Sequence, residues 1–371
     1  MWSECSQSLL NMASSSSSSP AYQDSTLPLG VSALSSETPF INFLPPNSPT
    51  HEAVAEQPIL EPAPSIPVID LSLLFGPPYQ RSKAIADIAE ACQSWGFFMV
   101  INHGIPWNLQ ENVLNSCKEF MELPEQDQQV FWAKEILDPI SSGAIVHVNL
   151  EDGYYLSDFL KVFVHPIFHS PPKPPQFSDI AREYTTRIRG IASELLKAIW
   201  ESLRLDSWRI EKNLELERGL QMLIADVYPI CPQPKLATGM PILTDHGLLT
   251  LIIQNGEGGI EFKRDGNWIR ANPIPGSILV NTGDHLEIVT NGKYKTVSHR
   301  AVVSLKTPTV SVAVTNGPAI RAVVSPSLEL VRRENTSPDY MGMRYMDYLE
   351  LQEGQHLICC SCIENVRVTK L

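Results

Sequence analysis

Beyond about residue 215 the chain gives up helical periodicity for short apolar runs of strand length. These are 249–253, 259–262, 268–270, 278–281, 301–304 and 310–314, separated by turn residues. One of the turns, Arg264-Asp265-Gly266-Asn267, has the Asp-Gly chemistry of a tight hairpin. Many short strands at this spacing, following a helical region, predict a fold that is mainly β with α: a double-stranded β-helix (jelly roll) core braced by helices. No internal repeat is visible.

Upstream, Ile66, Val68 and Leu71 around Asp70 read as a short strand, and Ile85, Ile88, Ala89 and Cys92 recur at helical spacing until Trp95 and Gly96. Phe97 to Ile101 is an apolar strand closed by the turn residues Asn102, His103 and Gly104. Ile180, Tyr184, Ile188, Ile191, Leu195 and Ile199 share one face of a long helix, predicted to pack on a sheet. Residues 1–64 hold a serine run (Ser14 to Ser19) and many prolines, and are expected to form a disordered tail. With no Lys or Arg before Arg81, and with Glu4, Asp24, Glu37 and Glu52 present, the tail lacks the basic character of a plastid transit peptide. The expected organisation is thus a tail over 1–64, a helix and strand region over 65–205, a jelly roll over 206–330, and a C-terminal helix and tail over 331–371.

The formal charge of −13 argues against nucleic acid or an anionic membrane surface as partner, because both require clustered Lys and Arg. No stretch approaches the roughly 18 consecutive apolar residues of a membrane span. Seven scattered cysteines suit a reduced, cytoplasmic protein, and the Cys359, Cys360 and Cys362 cluster reads as free thiols rather than as half of a zinc site. A small-molecule substrate is the expected partner, and the oligomeric state is not legible.

A jelly roll offers a mouth between its sheets, and the commonest non-haem iron(II) site there is two histidines and one carboxylate, with His-x-Asp on one strand and a later His. At the expected place stands Leu243-Thr244-Asp245-His246-Gly247, and His299 follows Asp245 by 54 positions. Around these lie Trp95-Gly96-Phe97-Phe98, Asn102-His103-Gly104, the run from Tyr228 to Pro234, Asn281-Thr282-Gly283-Asp284 and Asn291-Gly292-Lys293-Tyr294. In order and spacing these segments, from about Ile66 to about Ser325, resemble the plant 2-oxoglutarate/iron(II)-dependent dioxygenase family. The resemblance implies a family fold with Fe(II) and 2-oxoglutarate as cofactors. Carried over by position, it implies Asp245 and His299 as metal ligands and Tyr228 and Ser311 as hydroxyl donors to the co-substrate. Three positions depart from the pattern: Leu243 stands for the first histidine, Thr309 for the arginine and Asp226 for the asparagine.

Leucine has no lone pair for a metal, and threonine cannot supply the bidentate fork that arginine gives a carboxylate. Asp226 places a negative charge where an anion would sit. His246 follows Asp245 directly and is expected to face the other way along the strand. His103 reads as a turn residue, His285 as structural or pocket-lining, and Trp268 and Tyr294 as packing residues. Asp245 and His299 have two readings of equal weight, a metal role or a hydrogen-bonded pair supporting the mouth. Function is expected in one of three classes, of which the first leads: redox-neutral conversion of a small apolar or aromatic metabolite with Asp245 and His299 in acid/base roles, an oxygenase with an atypical metal site, or a non-catalytic relative.

Overall fold

The computed structural model describes residues 65–132, 135–149, 153–230, 237–255, 259–304, 306–355 and 362–369. The tail over 1–64 and Cys231, Cys359 and Cys360 lie outside them.

Val68–Asp70 (β1) pairs in parallel with Phe97–Ile101 (β2), and Asp70 then accepts from Ser72 N to start a short 3-10 turn. Between the two strands runs Pro78–Ser94 (α1), with proline at its first position, where its missing N–H costs nothing. Trp107–Met121 (α2), the long hairpin Ile140–Asn149 (β3) and Gly153–His165 (β4), and Phe177–Ser202 (α3) follow. The remaining sheet comes from Gln221–Tyr228 (β5), Ala237–Leu243 (β6), Leu249–Gln254 (β7), Gly259–Arg264 (β8), Asn267–Arg270 (β9) and Ile278–Thr282 (β10). It is completed by His299–Val302 (β11) and Thr309–Asn316 (β12), with Asp284–Val289 (α4) between β10 and β11, and Tyr345–Gln355 (α5) near the C-terminus.

The hydrogen-bonded order is β1-β2-β10-β7-β12-β5-β4-β6-β11-β8-β9, with β3 on β4. Side-chain alternation shows how this ribbon folds back on itself. Phe98, Val100, Leu251, Val280, Val310, Val312 and Val314 share a core with Ile88 of α1, Val113 of α2 and Ile188 of α3. Their neighbours Phe97, Met99, Ile252 and Leu279 point the other way and pack with Ile260 and Phe262 of β8. Phe97 and Phe262 stack with centroids 3.9 Å apart, so the β8 end of the ribbon faces its β2 end. This is the jelly roll, with α1, α2 and α3 braced on its outer face. Truncating Phe97 or Phe262 to Ala would remove that bridge at a cost of about 3–5 kcal/mol.

The 264–267 turn is the hairpin predicted, with positive φ at both Asp265 and Gly266. The strand expected over 301–304 instead spans His299–Val302, because its register is set by β8, where His299 lies opposite Phe262 and Val302 opposite Gly259. That two-residue shift puts His299 at the start of a strand. Cys362 forms no disulfide, as expected, but it is buried in the main core rather than carried in a tail.

Candidate active site

β6 ends at Leu243, so Asp245 is carried by the bend that follows and not by the strand, a correction to the strand-face expectation. The bend is fixed by backbone bonds from Asp284 N to Asp245 O (2.7 Å), Gly283 N to Leu248 O (3.0 Å) and His285 N to Gly247 O (3.1 Å). Gly283 is required there, since a Cβ would collide with the Gly247 carbonyl. His299, first in β11, lies opposite Leu243 on one side and Phe262 on the other. Its Nε2 comes within 3.9 Å of Asp245 Oδ1.

Asn281 joins the two. Its Nδ2 donates to Asp245 Oδ2 and lies 3.4 Å from His299 Nδ1, which is also 3.4 Å from the Val297 carbonyl. The sequence held Asn281 only as part of a family segment. Its inward aim follows from β10 alternation, but its contact with residues 36 and 18 positions away does not.

Behind the bend lies a second polar group. Thr244 Oγ1 and Tyr348 OH both donate to Asp284 Oδ2, at 3.0 and 2.6 Å. Burial pushes the Asp284 carboxyl up to about 7 against those bonds. His246 is turned from Asp245 by its Nδ1 contact with Tyr345 OH (2.6 Å), a reason different from strand alternation. His285 is structural: it sits edge-on to Tyr345 and Tyr348, its Nδ1 meets the His246 carbonyl, and burial lowers it to about 4. The C-terminal helix was expected, but its role in backing this bend was not. His103 is the turn residue expected, bonded to Gly276 O and Ile105 N, and Trp268 and Tyr294 are buried packing residues.

The other end of the inner face is set by β5 and β12. Ser311 lies opposite Asp226, and Thr309 opposite Tyr228, all pointing away from the helix-side row of Val227, Val310 and Val312. Tyr228 and Ser311 are buried, and the Tyr228 ring lies so close over Gly239 that a Cβ there would strike it. The Thr309 hydroxyl is buried without a hydrogen-bond partner. Asp226 keeps some surface, yet burial pushes its carboxyl up to about 7, so the negative charge expected there is only partial at neutral pH. That burial, with Asp226 beside it, also holds the Tyr228 phenol well above its usual range.

The chain spans two family models, the non-haem dioxygenase N-terminal model over residues 66–171 and the 2OG-Fe(II) oxygenase superfamily model over 219–318. It is 41% identical to 2-oxoglutarate-dependent dioxygenase 19 of Oryza sativa subsp. japonica over 330 residues, covering 87% of this chain and 98% of that one. This chain belongs to the plant 2-oxoglutarate/iron(II)-dependent dioxygenase family. It is also 34% identical to DMR6-LIKE OXYGENASE 2 of Arabidopsis thaliana, over 82% of this chain and 88% of that one. Among solved structures it is similar to JOX2 in complex with 2OG, Fe and JA, at a TM-score of 0.72 and 25% identity, over 84% of this chain and 91% of that one. A dioxygenase for auxin oxidation in rice shares the fold, with a TM-score of 0.63 at 24% identity, over 78% of this chain and 96% of that one.

Family members are enzymes, and Fe(II) and 2-oxoglutarate are the cofactors that membership implies. The residues present fit that pair incompletely. Asp245 and His299 are close enough to share an ion, but Leu243, opposite His299 in register, offers no ligand, and among the described residues no group of three His, Cys, Asp or Glu side chains could hold one. At the other end, hydroxyls remain, while Thr309 and Asp226 offer no cation to a dicarboxylate. No helix among the described residues is long and apolar enough to cross a membrane.

Proposed function

We propose that this enzyme encloses a small apolar or aromatic plant metabolite in the mouth of its jelly roll. There it carries out redox-neutral chemistry (cyclisation, isomerisation or elimination) without the standard use of iron and 2-oxoglutarate. The observation that carries the reading is the Asp245, His299 and Asn281 cluster with Leu243 in register beside His299. One carboxylate and one imidazole are thereby held together, with an alkyl group where the third ligand would stand. The gap of 3.9 Å is longer than a direct hydrogen bond and leaves room for a substrate proton between the two groups.

Asp245 Oδ2 is held by Asn281, so Oδ1 is the oxygen turned toward His299. If the His299 Nδ1 proton goes to the Val297 carbonyl, Nε2 presents its lone pair; if Asn281 donates to Nδ1, Nε2 carries the proton. The same pair can therefore take a proton from one substrate atom and return one to another. Phe262, 5.7 Å from the His299 ring, and Phe97 stacked on it supply an apolar wall suited to such a substrate. The expected cellular location is the cytoplasm.

The test is anaerobic calorimetric titration of the purified chain with Fe(II) and 2-oxoglutarate, paired with a turnover assay in chelator. The reading expects weak binding of both ligands and chelator-insensitive turnover that is lost in Asp245→Ala and His299→Ala. Micromolar binding with conversion of 2-oxoglutarate to succinate would overturn it. That outcome would favour a second reading, supported by the same 3.9 Å approach: an oxygenase holding iron through Asp245, His299 and water.

A further inference from the structure

A second concave site lies away from the mouth, where α2 meets the ends of β7 and β10 and the 273–277 loop. It is a cavity of about 380 Å³ whose base is Leu114 of α2 with Ile252, Ile253 and Leu279 of the two strands. That volume falls in the range of small-molecule sites. Asn281, which holds Asp245, lies opposite Thr250, four strand residues or roughly 14 Å from Gln254 at the cavity. The cavity is therefore separate from the Asp245 and His299 cluster. Its loop wall is fixed by the chain itself: Gly276 takes a positive φ of 75°, its carbonyl accepts from His103 Nε2 (2.7 Å), and Ser277 N closes a turn on the Ile274 carbonyl (2.9 Å). The Trp107 ring lies over Gly276, 3.6 Å from where a Cβ would stand. Trp107 and Ile274 form the rim, and although both are large and apolar they are left 54% and 42% exposed.

Deeper in, Gln110 is 3% and Ser277 6% exposed, and the Gln110 Nε2 and Ser277 hydroxyl are both buried without a hydrogen-bond partner. Each such orphan costs free energy that an oxygen of a ligand would recover. The Gln110 amide turns about a soft terminal torsion, so its N–H reaches the cavity without any change in the course of α2. Charge decides the class of ligand. Among the described residues no lysine, arginine or histidine lines the cavity, and its one ionisable side chain is Glu111, exposed at the surface of α2. An anion would meet a carboxylate there and no cation. We infer that this cavity binds an uncharged, flat, apolar molecule bearing an acceptor oxygen, with its ring against Trp107 and Ile274 and its oxygen taking hydrogen bonds from Gln110 and Ser277. The inference goes beyond the reading of the mouth and does not depend on it.

The experiment titrates the full chain with coumarin, its oxygen-free counterpart naphthalene, and coumarin-3-carboxylate. Coumarin is expected to bind about three- to tenfold more tightly than naphthalene, the range of one net hydrogen bond, and more tightly than the carboxylate. Trp107→Ala, at a half-exposed position, should weaken coumarin and naphthalene alike by about tenfold, because both lose the ring they lie against. Gln110→Met keeps the length of the side chain and removes its amide, so it should bring coumarin toward the naphthalene level and leave naphthalene unchanged. Ser277→Ala carries the same contrast if Gln110→Met does not fold. Leu243→Phe, which narrows the mouth, should change the binding of neither. No coumarin binding, equal binding of coumarin and naphthalene, a preference for the carboxylate, or coumarin binding that survives Trp107→Ala overturns the proposal. Loss of coumarin binding in Leu243→Phe also overturns it, because the molecule would then be held at the mouth.

Discussion

The bend after β6 and the floor formed by β5 and β12 are both polar and buried, but they are finished differently. Behind the bend, Thr244 and Tyr348 converge on Asp284, Tyr345 meets His246, and His285 is boxed between two tyrosines. On the floor, the Asp226 carboxyl receives no donor among the described residues and the Thr309 hydroxyl has no partner. The contrast is one of degree, since Asp284 Oδ1 is also buried without a partner while its Oδ2 takes two donors. The carboxyl behind the bend is thus held by side chains of its own chain, while the one on the floor is not.

The strongest way to break this comparison is Asp284→Ala. It takes the shared acceptor from the Thr244 and Tyr348 hydroxyls in a buried site and should cost about 3–4 kcal/mol in chemical denaturation. A loss under 1 kcal/mol would mean that the bend does not depend on that group. Next in size, Leu243→His with Thr309→Arg and Asp226→Asn should tighten 2-oxoglutarate binding by about 100-fold, since a buried carboxylate regains its bidentate cation. Calorimetry showing no gain would mean that the floor is not where the family's co-substrate site lies.

The third prediction concerns pH. The folded Asp226 pKa of about 7 exceeds the unfolded value of 3.8, so the folded state holds the proton more tightly. Stability from this group is fully present below about pH 4 and is lost as pH rises toward 7. Asp226→Asn removes that loss and should stabilise the protein by about 2–3 kcal/mol more at about pH 8 than at about pH 5. Thermal or urea denaturation of the pair at both pH values reads the difference, and a pH-independent shift would refute the burial argument. Smallest, Tyr345→Phe should cost about 1 kcal/mol by removing the hydroxyl contact of His246 Nδ1, visible as a small drop in the denaturation midpoint.

The segments that build the fold were legible because each carries a local signal. The 264–267 turn needs residues that tolerate positive φ, and the Phe97 to Ile101 run could be read as a strand from composition alone. Asp245 and His299 were legible as a pair through spacing and resemblance, and they do meet. Asn281 was not, because nothing local to β10 says which loop and strand end will stand across from it. The same holds for Tyr345 and Tyr348, whose helix reaches the bend from about 100 positions away.

By itself the sequence determined the alternation that sorts β12 into an outer valine row and an inner hydroxyl row, and it determined that aspartate, leucine and threonine stand at 226, 243 and 309. Those are properties of residue type and period, which do not depend on what lies opposite. Only the tertiary structure decided that His246 turns to Tyr345, that Asn281 ties Asp245 to His299, and that burial lifts the Asp226 carboxyl toward neutrality. Each of these is set by partners or burial that arrive from distant segments once the ribbon closes, and desolvation has no signature in a linear sequence.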